Sequence, residues 1–182
     1  MSITLERQIF DALQSSYLKN EIDCEVLEPT SQVPSDTMIT LFDEIGDRSE
    51  VVRLECNFFP EQESKSEVMI LQSFAALSDR AIPYHQPEIL RLLAVINHTL
   101  PLGAFGLIES SNLVYFKHNT MLMKELGVER AVRQVDAQNG LILHMFQLYF
   151  DAIIDVAQGT ISCDDALAGL GIESINLKKF NQ

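Results

Sequence analysis

The chain has 182 residues, of which 47% are hydrophobic and 21% are charged, and its formal net charge is −13. This composition is ordinary for a globular protein and excludes wholesale disorder, and the length predicts one main domain. Nucleic acid and anionic membranes attract clustered Lys and Arg, so 26 acidic residues against 13 basic ones argue against both partners. The charge favours a basic polypeptide partner, although a role in solubility also explains it.

The cysteines and the N-terminus indicate the compartment. Cys24, Cys56 and Cys163 are far apart and odd in number, which predicts free thiols rather than disulfides or a metal site. The first residues lack the basic and then apolar order of a signal peptide. Polar residues such as Gln147 and Asp151 interrupt the most apolar stretch, which argues against a membrane span. We therefore expect a soluble, cytoplasmic protein.

The first half of the chain predicts one helix followed by four strands. Apolar residues spaced three and four apart indicate a helix that ends near Lys19. Period-two alternation and β-branched apolar runs then predict strands at 22–27, 37–42, 51–59 and 68–76. Short segments rich in Pro, Ser, Asp and Gly separate the strands, so we expect an antiparallel meander.

The middle of the chain predicts a second helix and a β-hairpin. Prolines in its first turn and beyond its last residue indicate a helix over 83–99. The hairpin strands are predicted at 103–109 and 113–118. Gly103 and Gly106 inside the first of these strands predict a bulge or the close approach of another backbone.

The last third predicts a long amphipathic helix from about 129 to 158, which Gly159 ends. Ser162 is the expected N-cap of a further short helix, which a tail follows. The complete order, α-ββββ-α-ββ-α-α, indicates an α+β fold in which helices flank an antiparallel sheet. We assign residues 1–159 to this domain and residues 160–182 to a short C-terminal helix and tail.

The second strand of the hairpin and the long helix carry the predicted interface. The helix is apolar on more than one narrow stripe, so we expect one face to cover the sheet and another to contact a second copy. The strand at 112–118 is interpreted as an edge or dimer-seam strand, and the two methionines after it as the lining of an adaptable groove. The predicted partner or dimer interface consists of Val114, Phe116, Met121, Met123, Leu141, Met145, Leu148 and Tyr149.

The second half of the chain carries three segments that occur together in a known family. They are NHTLPLGAFGL at 97–107, NLVYFK at 112–117 and DVAQGTISCDDA at 155–166. This combination resembles YbjN-like proteins, which have the type III secretion chaperone-like fold. In that family a Gly/Phe strand precedes a strand of the form V-x-F-K/R, and the long helix closes with G-x-x-S-x-x-x-A.

The resemblance implies a homodimeric, regulator-like interaction protein without known catalysis. Secretion chaperones of this fold hold an extended stretch of a partner polypeptide against their surface, so the resemblance also implies a polypeptide client. The chain departs from a dedicated secretion chaperone in its greater length, with an extra early strand and a C-terminal appendage.

Motifs of catalysis or cofactor binding are missing from the sequence. The four histidines, at 85, 98, 118 and 144, have no metal-ligand spacing. The segment Gly103–Gly106 lacks the Lys-Ser/Thr that a phosphate-binding loop requires, and no Gly-x-Ser-x-Gly motif occurs. We therefore expect no catalytic, cofactor-binding or metal-binding residues.

Three functions remain open from the sequence alone. The first is a non-catalytic protein-binding module, chaperone- or regulator-like, that acts as a homodimer. The second is a small-molecule-binding protein or enzyme with a pocket between the sheet and the long helix. The third is a structural subunit of an unidentified process.

Overall fold

The computed structural model of the chain describes residues 3–31, 33–60, 67–78 and 81–172. These residues form one six-stranded antiparallel sheet flanked by helices, which confirms the predicted α+β class. In chain order the elements are α1 (Leu5–Lys19), β1 (Cys24–Leu27), β2 (Thr37–Ile45), β3 (Glu50–Phe58), β4 (Val68–Ser78), α2 (Gln86–Thr99), β5 (Ala104–Ile108), β6 (Leu113–Met123), α3 (Gly127–Ala157) and α4 (Cys163–Gly169). Short 3-10 turns at Pro83–His85, Glu109–Ser111 and Lys124–Leu126 precede α2, β6 and α3.

The strands lie in the order β1-β2-β3-β4-β6-β5. The first four form the expected meander, whereas β6 lies between β4 and β5 and pairs with both. The interpretation of 112–118 as an edge or dimer-seam strand is therefore wrong. β6 also extends five residues beyond the predicted end, because β4 supplies hydrogen bonds along its whole length. Met121 and Met123 consequently lie within the strand, opposite Ile70 and Val68.

Helix ends follow local hydrogen-bonding chemistry. The Thr4 side chain caps α1 by accepting a hydrogen bond from the Arg7 amide at 3.2 Å. The Ser162 hydroxyl accepts from the Asp165 amide and donates to the Asp165 carboxylate, which confirms the predicted cap of α4. The predicted tail lies outside the described residues beyond Ile172.

The core lies between one face of the sheet and the helices. Alternate residues of β3, β4 and β6 are buried beneath α1, α2 and α3, and their neighbours on the other face are more exposed. Helix α3 contributes the largest set of buried side chains, because α1 and α2 pack on either side of it. These residues are Ala131, Val135, Asn139, Ile142, Met145, Phe146, Phe150, Ile153, Ile154, Val156 and Ala157.

The two hairpin glycines make room for aromatic rings and, at Gly103, for the backbone of β6 as well. Gly103 has a φ of +66°, and a Cβ there would overlap the ring of Phe116. A Cβ at Gly106 would overlap the ring of Tyr115, its cross-strand partner. The expected close approach of another backbone therefore occurs at Gly103, where a Cβ would also lie 2.9 Å from the Lys117 carbonyl oxygen, whereas at Gly106 a side chain makes it.

Candidate protein-binding surfaces

Three of the predicted interface residues lie in the core of a single subunit. Val114 and Phe116 point to the helix-covered face of β6, and the Phe116 ring lies 5.2 Å from Phe105 and 5.5 Å from Phe146. Met145 is also buried, because the apolar side of α3 is wide enough to contact the sheet and its neighbouring helices. These three assignments are corrected: Val114, Phe116 and Met145 have no exposed surface to offer a partner.

The other five predicted residues reach the surface to different extents, but not on one surface. Met121 is 66% exposed and lies with Met123 on the side of the sheet that faces away from the helices. Leu141 is 44% exposed and Leu148 is 49% exposed, and both lie on the outer side of α3. Tyr149 is half-buried, and its hydroxyl lies 3.1 Å from the Thr99 hydroxyl. The single predicted interface is thus two surfaces on opposite sides of the subunit.

The first surface is the face of the sheet that no helix of the described chain covers, which we call the open face. Cross-strand register places on it eight large apolar side chains that remain exposed. They are Leu27, Leu41, Val51, Phe59, Ile70, Ile108, Met121 and Met123. Sequence alternation predicted an exposed face but not its apolar content, because the core-facing residues dominated the pattern.

Part of the open face is a contiguous apolar patch at one end of β4 and β6. Ile70 is paired with Met121 and Val68 with Met123, and the Phe59 amide continues the ladder to the Ile70 carbonyl at 2.9 Å. Unbranched methionine side chains adapt to differently shaped partners. Exposed apolar patches of this kind mark interaction sites more often than ordinary surface.

The central rows of the open face carry charges of both signs. Asp23, Glu25 and Glu55 are acidic, Arg53 and Lys117 are basic, and Arg53 lies 3.2 Å from Glu55. The chain as a whole carries −13, so most of its acidic excess lies elsewhere. Away from the β1 edge, the open face can therefore approach another protein with less repulsion than most of the surface.

The second surface is the exposed stripe of α3, which consists of Ala137, Gly140, Leu141, His144 and Leu148. The sequence contains no Asp, Glu, Lys or Arg between Asp136 and Asp151. A Cβ at Gly140 would meet no atom within 4 Å, so packing inside the subunit does not require a glycine there. A glycine in the middle of a helix costs about 1 kcal/mol of stability relative to alanine, and no contact inside the subunit explains this cost at Gly140.

Helix α3 is also long enough and apolar enough to meet the criteria for a membrane span. The segment Lys124–Ala157 has a mean hydropathy of 1.4 over its most apolar window, and 44% of that window is buried in the subunit. Core helices of globular proteins satisfy the same criteria, so the finding is weak evidence for a membrane span. Packing against the sheet explains the apolar residues on the side of α3 that faces it.

Polar side chains at the C-terminal half of α3 hold the β2–β3 turn. Gln147 accepts a hydrogen bond from the Gly46 amide and donates one to the Glu44 carbonyl. Asp151 accepts from the Asp47 amide at 2.7 Å. These contacts fix the turn against α3 beside the exposed stripe, so they have a structural explanation.

The three thiols and the half-buried His118 offer little reactivity. Burial raises the pKa of Cys56 to about 11, and its sulfur lies 3.4 Å from the Ser73 hydroxyl. Burial also raises the pKa of Cys24 and Cys163, so all three thiols are protonated and weakly nucleophilic at neutral pH. His118, opposite Ser73 in the register, has a pKa lowered by burial. Within the described ranges, no three His, Cys, Asp or Glu side chains converge as metal ligands.

The surface cavities of the described residues include two grooves and a smaller pocket. A groove of about 640 Å³ lies beside β1, and one of about 530 Å³ lies near the start of α1 between prolines and Phe59. A third, of about 240 Å³, lies where β3 and β4 meet the C-terminal part of α3, next to Phe150 and Ile154. The groove beside β1 is thus the largest of the three, and it lies on the open face rather than between the sheet and α3.

No protein-family model matches the chain, and no curated protein matches its sequence. The α+β class implied by the resemblance to YbjN-like proteins is observed, and the relationship itself stays a prediction.

Proposed function

We propose that this chain is a non-catalytic protein-binding module that acts as a homodimer. One observation carries the proposal: exposed apolar side chains concentrate on two surfaces, and these surfaces lie on opposite sides of the subunit. In this proposal the stripe of α3 contacts a second copy, and the open face binds a polypeptide partner. The resemblance to secretion chaperone-like proteins implies the same two roles, self-association and the binding of a polypeptide.

The charge distribution favours the stripe of α3 as the contact between copies. Two chains that each carry −13 repel one another over most of their surfaces, and the stripe brings no charge to the contact. In a two-fold arrangement the same residues face one another. An antiparallel crossing near His144 places Leu141 of each copy beside Leu148 of the other. The missing side chain at Gly140 lets the two helix backbones approach closely.

The test of the dimer compares two leucines of nearly equal exposure. Leu141 lies on the stripe, whereas Leu90, which is 42% exposed, lies on α2 away from it. We expect sedimentation equilibrium to give a dimer for the wild type and for Leu90→Arg at micromolar concentration, and a monomer for Leu141→Arg. A monomeric wild type contradicts the proposal, and so does a Leu141→Arg variant that dimerises as strongly as Leu90→Arg.

A further inference from the structure

The two edge strands of the sheet differ in whether their backbone is available to a partner. At the β5 edge, the Asn97 side chain of α2 donates to the Phe105 carbonyl at 2.9 Å and accepts from the Phe105 amide at 2.8 Å. One amide side chain thereby occupies the place that a neighbouring strand would take. Unprotected edges invite pairing with other chains, and Asn97 prevents this at the centre of β5.

The β1 edge is more open. The Leu41 amide donates to the Asp23 carbonyl, and this register directs the backbone groups of Asp23 and Glu25 toward β2. Those of Cys24 and Val26 then point away from the sheet. The Cys24 carbonyl accepts from Gln14 Nε2 at 3.2 Å, whereas the N–H and C=O of Val26 have no partner in the described part of the chain.

The groove of about 640 Å³ runs along this edge on the open face. Leu27, Ile39 and Leu41 supply its apolar lining, and Asp23, Glu25 and Arg53 supply its polar lining. Arg53 is paired with Glu55, and Asp23 and Glu25 form no ion pair among the described residues. A strand added to β1 would project alternate side chains over this groove.

The charge beside β1 indicates what such a strand must carry. Glu21, Asp23, Glu25 and Glu28 are all exposed, and the nearest basic residues along the chain are Lys19 and Arg48. Opposite charges on directly paired strands stabilise a sheet, and like charges destabilise it. Two β1 strands from two copies would place acidic residues against acidic residues, which argues against self-pairing at this edge.

We infer that β1 and its groove bind an extended polypeptide segment in which basic and apolar residues alternate. The segment adds to the sheet as a seventh strand, with main-chain hydrogen bonds to Val26. Its basic side chains lie beside Asp23 and Glu25, and its apolar side chains lie on the opposite face of the added strand, beside the half-buried Cys24 and Val26. The inference rests on the proposed function and specifies the partner that the open face receives.

The test uses a fluorescein-labelled peptide, Lys-Val-Lys-Val-Lys-Val, and fluorescence anisotropy with the full chain. We expect saturable binding of this peptide and much weaker binding of two controls. One control replaces the lysines by glutamates, and the other carries N-methyl groups on alternate amides, which removes the hydrogen bonds of an added strand.

Matched variants locate the site. Asp23→Lys with Glu25→Lys is expected to weaken binding about tenfold or more, because two attractive pairs become repulsive. Glu109→Lys with Glu125→Lys makes the same change in net charge at exposed positions elsewhere, and it should leave most of the affinity intact. Val26→Pro removes the edge N–H at a position where an edge strand tolerates proline, and it should weaken binding as well.

The outcomes separate this inference from the dimer. Equal affinities of the two double variants contradict it, and so does equal binding of the N-methylated peptide. If the Val26→Pro variant is a monomer while the Leu141→Arg variant remains a dimer, then β1 pairs with a second copy, and the inference is also overturned. Peptide binding by a monomeric Leu141→Arg variant supports the β1 site even where the proposed dimer fails.

Discussion

Replacing Phe116 by alanine tests whether the predicted interface residues divide into core and surface as the structure places them. The Phe116 side chain is 0% exposed, and its ring makes edge contacts with Phe105 and Phe146. Truncation of a buried phenylalanine costs about 3–5 kcal/mol, and these two ring pairs put the expected loss in the upper half of that range. This loss is a large fraction of the total stability of a folded protein, which is about 5–15 kcal/mol.

The comparison variant is Met121→Ala, which truncates another large apolar residue of the predicted interface on the same strand. Because Met121 is 66% exposed, we expect a loss of at most about 0.5 kcal/mol. Urea unfolding followed by circular dichroism gives both values. A Phe116→Ala loss below about 1 kcal/mol contradicts the placement of β6 between β4 and β5 beneath α3, and so does an equal loss for Met121→Ala.

Two further predictions concern a buried thiol and the protected sheet edge. Burial raises the pKa of Cys56 from 9.0 to about 11, so above pH 9 the thiol loses its proton more readily in the unfolded chain than in the folded one. The free energy of unfolding should therefore fall by about 2–3 kcal/mol by pH 11. Urea titrations should show that Cys56→Ala removes this part of the pH dependence; an unchanged slope would contradict the burial of the thiol. Asn97→Ala exposes the Phe105 backbone and should cost about 1–3 kcal/mol and promote concentration-dependent association in light scattering. The control is Asn119→Ala, at an exposed position. An Asn97→Ala variant that is as stable as this control and associates no more than it does would refute the edge-closing role.

Local patterns in the sequence predicted most elements, because each rests on interactions between near neighbours. The alternation predicted for 51–59 corresponds to β3, one residue earlier at each end, and the cap at Ser162 forms as expected. Gly159, with a φ of +71°, follows the end of α3. Strand order depends instead on contacts between distant segments, and no local signal showed that β6 would pair with β4 as well as with β5.

The face on which each residue lies was harder to predict than the elements themselves. In β6 both faces read as apolar, because Tyr115 and Met121 alternate with Phe116 and Leu122, and alternation does not say which face the helices cover. On α3, Met145 and Leu141 both belong to a wide apolar stripe. Packing of α1 and α2 on either side of α3 decides between them, and this arrangement exists only in the folded chain.

The placement of the two surfaces has a consequence for how the proposed dimer would bind. α3 lies on the helix-covered side of the sheet, so a dimer joined through its exposed stripe would turn both open faces outward. Each β1 edge would then remain accessible, and neither would be blocked by the contact between copies. A partner with two basic–apolar segments could bind both edges, and its apparent affinity would depend on whether the linker spans the dimer. In the proposed arrangement separate residues serve self-association and partner binding, so single substitutions on either surface distinguish the two.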